Sequence, residues 1–195
     1  MARPFEFAFV MSATDPAKLP ASRAEIAFVG RSNVGKSSLL NVIARRKSLA
    51  NTSKTPGRTQ TLNCFSVGHD ATVVDCPGYG YAATSKATRA SWQPMIERYL
   101  LEREALTMVL VLVDGEIGPT KLDIQMLDWL RAHEIPHSVI ATKHDKIRPA
   151  QRDRRTRELA AQCMLEPGDV VWVSATKLTG VDRLRDLVRL WLGLD

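Results

Sequence analysis

Residues 30–37 of the chain read GRSNVGKS, and this stretch decides the expected fold. It has the pattern G-x-x-x-x-G-K-S/T of a phosphate-binding loop, or P-loop. The apolar residues 26–29 precede it and a helical pattern follows it, which is the strand–loop–helix context that the motif needs. Glycines let such a loop curl until its backbone N–H groups and the positive end of the helix face a phosphate. We therefore expect a nucleoside triphosphate at this loop.

Two side chains of the P-loop suit particular parts of a triphosphate. We expect Lys36 to reach the β- and γ-phosphates, and the Ser37 hydroxyl to bind Mg²⁺. The expected phosphate-binding residues are Gly30, Arg31, Ser32, Asn33, Val34, Gly35, Lys36 and Ser37.

The rest of the chain alternates short apolar runs with amphipathic stretches, which is typical of strand–helix–strand units around a parallel sheet. We expect an α/β, three-layer P-loop NTPase fold, with a six-stranded, mostly parallel sheet and helices on both faces. The expected strands are residues 25–30, 61–67, 71–75, 108–114, 137–142 and 169–174. The expected helices follow Lys36, Thr120, Pro149 and Gly180, with one more over residues 91–104.

Two details of this expected fold concern single segments. The Gly-His-Asp turn at residues 68–70 predicts a hairpin, so one edge strand should be antiparallel. Pro94 should lie in the first turn of its helix, where its missing N–H costs little.

A second phosphate-side motif, D-x-x-G, closes the expected strand at residues 71–75. We expect Asp75 to hold a water on Mg²⁺ and the Gly78 amide to contact the γ-phosphate. The residues of this motif are Asp75, Cys76, Pro77 and Gly78.

A third motif, TKHD at residues 142–145, separates guanine from adenine. The Asp145 carboxylate can accept from guanine N1–H and the exocyclic amine, whereas adenine would leave the carboxylate unpaired. The stem of Lys143 can lie along the base. Thr142 stands where the common pattern has Asn, which puts a side-chain tether to the P-loop in doubt. The expected base-pocket residues are Thr142, Lys143, His144, Asp145, Ser174, Ala175 and Thr176.

Residues 48–60 and 76–86 lack any periodic pattern, and we expect them to be mobile loops that change order between the GTP and GDP states. Thr59 is the expected residue that closes over Mg²⁺ and the γ-phosphate, with Thr55 and Thr61 as alternatives.

Taken in order, the segments GRSNVGKSSLLN, KTPGRTQTLN, DCPGYGYA, TKHD and SAT resemble the EngB (YihA/YsxC) GTPases of the translation-factor-related class. The match covers nearly the whole chain. It implies a bacterial GTPase that assists assembly of the large ribosomal subunit and is needed for normal division and septation. It implies an EngB-type G domain at residues 25–195, on which we expect residues 1–24 to pack as an extension. The switch contacts that it implies are Gly57, Arg58, Thr59, Gln60 and Thr61, with Thr59 and Ser37 as magnesium ligands.

Catalysis is expected to depend on Lys36, Gly78 and Asn33. Many GTPases place a water-orienting Gln directly after the D-x-x-G glycine, but this chain has Tyr79 there, so we expect slow hydrolysis. Loop packing or stacking on rRNA is favoured over catalysis for Tyr79. In similar GTPases an asparagine at the position of Asn33 helps to bind K⁺, which supplies positive charge in the transition state. Bracing of the loop is the alternative role.

The composition of the chain indicates in which cellular compartment it works and whether a membrane is a partner. The chain has 195 residues, 45% apolar and 25% charged, as in an ordinary one-domain globular protein. No apolar run approaches the roughly 20 residues of a membrane helix and no secretory signal is evident, so we expect a cytoplasmic monomer with no membrane partner. Its three cysteines form no CxxC pair and predict neither disulfides nor zinc.

The net charge of +6 and pI of about 9.5 favour polyanionic partners, although solubility alone could explain them. With the resemblance, a large-subunit precursor and its rRNA become the expected partners. A cluster of four arginines on an expected helix is either a solvated face or an rRNA contact. Its members are Arg152, Arg154, Arg155 and Arg157.

One alternative function shares only the P-loop. A phosphotransferase of the nucleotide-kinase type would use the same phosphate contacts, but it would need an acceptor site and a basic lid. It has no use for the guanine motif at residues 142–145.

Overall fold

The computed structural model describes residues 5–46, 49–50, 61–79 and 86–194, with the side chains of residues 86–93 excepted. The strands are β1 (Phe7–Ala13), β2 (Ala24–Gly30), β3 (Leu62–Val67), β4 (Ala71–Asp75), β5 (Leu106–Asp114), β6 (His137–Thr142) and β7 (Val171–Trp172). The helices are α1 (Lys36–Ile43), α2 (Lys86–Glu102), α3 (Lys121–Ala132), α4 (Arg152–Gln162) and α5 (Val181–Leu192).

The strands form a single sheet in the order β1-β3-β4-β2-β5-β6-β7. Strand β2 is parallel to β4 and β5, β5 is parallel to β6, and β6 is parallel to β7. The pairs β1–β3 and β3–β4 are antiparallel. The predicted α/β class with a mostly parallel sheet is therefore confirmed.

The predicted count of six strands is wrong, because the described sheet has seven. The additional strand, β1, comes from the N-terminal segment and pairs with β3 at the edge of the sheet. The hairpin strand β3 is consequently internal rather than an edge. Most residues of β1 are exposed or half-buried, with Phe7 and Ala13 buried at its ends. Residues 7–11 form a continuous apolar run, yet Phe9 and Val10 are exposed at this edge, so apolar character alone did not identify the strand.

Helices cover both faces of the sheet, and alternate residues of the central strands point to opposite faces. Ala27 and Val29 of β2 pack with residues of α2, α3 and α4. Ile26 and Phe28 of the same strand pack with residues of α1 and α5. This alternation places β2 between two apolar cores, as expected for a strand of a three-layer domain.

One helix begins at a position other than the predicted one, and the other helices begin close to their predicted positions. Helix α2 begins at Lys86, so Pro94 lies inside the helix rather than in its first turn. Helix α3 begins where predicted, because Thr120 and Asp123 form a reciprocal capping box in which the Asp123 carboxylate accepts from the Thr120 backbone N at 2.7 Å. Within the described ranges, no helix combines the length and apolar character that a membrane crossing requires.

All three cysteines are buried free thiols. Burial raises the pKa of Cys64 to about 12 and that of Cys163 to about 11, and it also raises the pKa of Cys76. Thiols held in the neutral form are poor nucleophiles. The cysteines are therefore core residues.

A buried carboxylate, Glu25, joins the amino ends of β2 and β4 to the end of α2. Its side chain is completely buried. It accepts hydrogen bonds from the Thr72 hydroxyl at 2.6 Å and from the Tyr99 hydroxyl at 2.8 Å. Arg103 binds both carboxylate oxygens, at 2.9 Å and 3.0 Å, and also donates to the Pro20 carbonyl at 2.6 Å. This full set of partners is what allows a charge to be buried there.

Arg103→Met should lower the free energy of unfolding by about 3 kcal/mol, because it leaves Glu25 buried without a countercharge. The midpoint of urea denaturation measures this loss. Arg98→Met is the matched control, since Arg98 lies on the same helix and pairs with Glu102 at 2.8 Å on the exposed surface. The control should unfold almost as the parent does. Equal midpoints for both variants would contradict the importance of the buried pair.

Candidate functional site

The candidate site lies where the parallel strands end. Carboxyl ends of parallel strands meet at one edge of the sheet, and ligands of open α/β sheets bind there. In the register of the sheet Gly30 lies beside Leu112, and Asp114 lies beside Thr142. Strand β4 ends on the other side of β2, at Asp75. The P-loop, the D-x-x-G motif and the TKHD motif therefore converge at one edge.

The conformation of the P-loop depends on glycine and asparagine. Gly35 has φ +101° and precedes the first residue of α1, so a left-handed residue begins the helix. A Cβ on Gly30 would lie 3.0 Å from the Leu112 carbonyl oxygen, which leaves little room for a side chain. Asn33 has φ +66°, and asparagine tolerates this region better than most residues. Its side chain is exposed.

The D-x-x-G segment is joined directly to the P-loop. The Ser32 N–H donates to the Tyr79 carbonyl at 2.9 Å, and the Tyr79 N–H donates to the Gly30 carbonyl at 3.3 Å. A Cβ on Gly78 would lie 3.0 Å from the Ser32 nitrogen, so this close approach favours glycine. The expected γ-phosphate contact, Gly78, thus lies against the P-loop backbone.

The ammonium group of Lys36 lies at the same junction. It forms a buried ion pair with Asp75 and donates to the Cys76 carbonyl at 2.6 Å. The two residues predicted to act on the phosphate and the metal are therefore direct partners of each other. Ser37, the other expected metal ligand, is half-buried on the first turn of α1.

The side chain of Tyr79 is part of the packing, which was one of the roles favoured for it. Only 6% of the residue is exposed, and its hydroxyl donates to Asp123 Oδ1 at 2.8 Å. Desolvation, with Asp123 as a second cause, raises the pKa of this hydroxyl well above its usual value. A ring held in this way has no free face for stacking on RNA, and its neutral phenol is committed to helix α3.

The base side of the site is a cavity of about 200 Å³ between the P-loop and the TKHD motif. Val34 and Gly35 line one side of it. The opposite side is formed by Thr142, Lys143, Asp145, Ala175 and Thr176. Five of the seven residues predicted for the base pocket therefore line one cavity.

The other two predicted pocket residues lie behind that lining. The Ser174 hydroxyl donates to Asp145 Oδ1 at 2.6 Å, and this hydrogen bond lowers the pKa of the Asp145 carboxyl. The His144 ring lies beside Trp172, with 5.7 Å between ring centroids, and desolvation lowers its pKa. Ser174 thus orients the acceptor of the pocket, whereas His144 packs away from it.

Thr142 provides the tether to the P-loop that its replacement of the usual asparagine put in doubt. Its hydroxyl donates to the Val34 carbonyl at 2.7 Å and lies 3.2 Å from the Val113 carbonyl. Threonine is thus long enough for this contact, because β6 ends close to the P-loop.

One residue of the site was missed by sequence reasoning. Asp114, the last residue of β5, accepts from Lys143 Nζ at 2.6 Å and from Arg31 Nη2 at 3.3 Å. Its side chain is only 2% exposed. A carboxylate at the end of a strand between two motif-bearing strands is a signal that could have identified it.

The remaining predicted contacts of the first loop are only partly described. Gly57, Arg58, Thr59 and Gln60 lie outside the described residues, as does Thr55. Thr61 is half-buried and its hydroxyl donates to Asn63 Oδ1 at 3.2 Å. Within the described part of the chain, no group of three or more His, Cys, Asp or Glu side chains could hold a metal ion. A metal here would depend on hydroxyl and phosphate oxygens as well.

Comparison with known proteins agrees with this arrangement of motifs. The family described as 50S ribosome-binding GTPase matches residues 25–143. This range contains the P-loop, the D-x-x-G motif and the first half of the TKHD motif.

Curated relatives match over more of the chain. A protein of Citrifermentans bemidjiense named "Probable GTP-binding protein EngB" is 46% identical over 89% of this chain and 82% of its own length. One of Levilactobacillus brevis with the same name is 48% identical over 89% of both chains. A crystal structure of a probable GTP-binding protein engB has a TM-score of 0.71 at 24% identity, covering 87% of this chain and 98% of that one. At that identity the solved structure supports the fold alone.

Proposed function

The chain belongs to the EngB family of GTP-binding proteins and is a GTPase, and on that premise we propose that GTP and GDP bind between the P-loop and residues 142–145. The observation that carries the proposal is the Asp145 carboxylate, which lines the cavity beside the P-loop and is oriented by Ser174.

Asp145 selects guanine in this proposal. The hydrogen bond from Ser174 lowers the pKa of the carboxyl and so favours its ionised form. An ionised carboxylate accepts two parallel hydrogen bonds, and guanine offers them from N1–H and its exocyclic amine. Adenine offers no such pair, so its binding would leave the carboxylate without partners in the pocket.

The phosphates are bound by the backbone N–H groups of residues 30–37 and the amino end of α1. Ser37, Asp75 and Thr59 would hold Mg²⁺, since hydroxyl and carboxylate oxygens are the hard donors that this ion prefers. When bound, the ion neutralises charge on the β- and γ-phosphates. Lys36 lies close enough to Asp75 for one carboxylate to serve both the lysine and the metal-bound water.

Hydrolysis is slow in this proposal, because Tyr79 replaces a water-orienting glutamine and its hydroxyl is bound to Asp123. Asn33 is exposed in the P-loop and could help to bind K⁺, which would supply positive charge in the transition state where other GTPases use an arginine finger. Its left-handed backbone also supports the bracing role, so the two roles need an experiment.

The partner in this proposal is a precursor of the large ribosomal subunit, bound in a nucleotide-dependent way in the cytoplasm. The description of the matched family and the net charge of +6 support it. The four arginines of the cluster at residues 152–157 fall into two groups that differ in exposure. Arg155 donates to the carbonyls of Gly115 and Glu116, both at 2.9 Å, and Arg152 is half-buried, so these two serve the fold. Arg154 and Arg157 are exposed and are the candidates for rRNA phosphates.

A need for the protein in normal division and septation is implied only by the resemblance of its motifs to the EngB GTPases, and we propose it on that ground. We propose that it is a consequence of impaired subunit assembly. Microscopy and ribosome profiles after depletion test the order of events, since filaments that precede any loss of large subunits would contradict it.

Asp145→Asn should shift nucleotide preference from GTP toward xanthosine triphosphate, because an amide can donate to the carbonyl that xanthine presents. We expect the ratio of the two affinities to change by at least about 100-fold. Equilibrium binding of both nucleotides measures the shift, with Asp153→Asn as an exposed control. An unaltered ratio would contradict the guanine pocket and favour the nucleotide-kinase alternative.

Hydrolysis should be at least about 10-fold faster in KCl than in equimolar NaCl, because K⁺ places charge at the transition state. Asn33→Asp is unsuitable, since it adds a charge, and Asn33→Gly tests the point better because glycine accepts the left-handed backbone. The glycine variant should hydrolyse GTP equally in both salts. Equal rates in the parent protein would leave Asn33 with the bracing role only.

Reversal of charge at Arg154 and Arg157 should weaken association with large-subunit precursors and reduce the slope of its salt dependence by about 1–2. Sedimentation with GDP and with a non-hydrolysable GTP analogue measures association in each state. A double reversal at Lys121 and Arg183, which are exposed on α3 and α5, changes net charge equally. Equal losses in both variants would mean that net charge, not this face, determines binding.

A further inference from the structure

We propose that Asp114 is a positioning residue for nucleotide binding, because its buried carboxylate holds Lys143 beside the base pocket and Arg31 in the P-loop through one shared charge. The inference rests on the proposed function, in which the base lies against Lys143 and the phosphates against the P-loop.

The two oxygens of Asp114 have separate partners. Oδ1 accepts from the backbone N of Glu116 at 3.0 Å and of Ile117 at 3.4 Å, so it shapes the turn that follows β5. Oδ2 accepts from Lys143 at 2.6 Å and from Arg31 at 3.3 Å. Oδ1 therefore stabilises the local turn. Oδ2 connects Lys143 on the base side of the site with Arg31 on the phosphate side.

Lys143 needs such an anchor. It is 36% exposed along its side chain, and its four-carbon stem is flexible. The ion pair with Asp114 fixes the end of the stem while the stem itself lines the cavity. Because Asp114 restricts the stem before the nucleotide arrives, less side-chain entropy is lost on binding.

Arg31 depends on the same carboxylate. Its Nε is buried and finds no hydrogen-bond acceptor among the described residues. The only ion pair found for its guanidinium within those residues is the contact with Asp114. Loss of the Asp114 charge would thus release a lysine at the base and an arginine in the P-loop together.

Asp114→Asn isolates this role, because it keeps the Oδ1 acceptor and the size of the side chain but removes the shared charge. We expect GDP to bind about 10-fold more weakly to this variant and to Lys143→Met. The double variant should bind GDP about as Asp114→Asn does, because loss of the Asp114 charge already releases Lys143 as well as Arg31. Binding of a fluorescent GDP analogue measures all three, and nucleotide-free thermal unfolding separates the effect from stability.

Two further variants complete the design. Asp70→Asn removes the partner of Arg23, 2.8 Å away at the opposite edge of the sheet, and should bind GDP as the parent does. Lys143→Arg keeps a charge that reaches Asp114 and should retain affinity within about threefold, but only while Asp114 is present.

The outcomes separate this inference from the proposed function. Parent-like binding by Asp114→Asn, or multiplied losses in the double variant, would overturn the inference and leave the guanine site in place. If Asp114→Asn does not fold, equal losses in Lys143→Arg and Lys143→Met would overturn it. Parent-like binding by Lys143→Met would refute both the inference and the proposed placement of the base.

Discussion

The buried carboxylate of Glu25 is the constraint on which the rest of the domain depends. A charge removed from water in this way is tolerated only when hydrogen bonds and a countercharge surround it. Those partners come from three elements that are distant in sequence: Thr72 on β4, Tyr99 on α2 and Arg103 just after α2. The central strand, its neighbour and the helix above them are therefore fixed in one relative position at the amino edge of the sheet.

The carboxyl edge of the sheet depends on the same fixed strand positions, but its own contacts are made between loops. There the strands end in short contacts between loops, such as the hydrogen bond from Thr142 to the Val34 carbonyl at 2.7 Å. A contact of this length survives only if β2 and β6 keep their register on either side of β5. The base motif and the phosphate loop are thus held together by side chains whose positions are set by the sheet rather than by the loops themselves.

The features that could be predicted from the sequence are those that depend on local patterns, whereas contacts between distant elements could not be predicted. The P-loop, the D-x-x-G motif and the TKHD motif were identified because each is a short pattern with its own chemistry, and the central strands because they are continuous apolar runs. Strand β1 was missed although residues 7–11 are apolar, because a short apolar run does not by itself show that it pairs with β3. The pairing of Tyr79 with Asp123 and that of Lys143 with Asp114 depend on register between distant elements. Periodicity reports which face is buried, but not which side chains meet.

Two ion pairs of the site follow one pattern, in which a lysine is held by a carboxylate. Lys36 is held by Asp75, and Lys143 by Asp114, so the lysines of the P-loop and of the TKHD motif both have a carboxylate partner. If Lys36 transfers to a phosphate in the proposed complex, the carboxylate of Asp75 would lose its countercharge and could hold a metal-bound water instead. Triphosphate and metal would then bind as one electrostatically balanced unit. Asp114 differs, since its contact with the turn after β5 leaves it in place. In the proposed function, Asp75 would therefore be the exchangeable carboxylate and Asp114 the fixed one, so that the phosphate side would switch and the base side would recognise guanine.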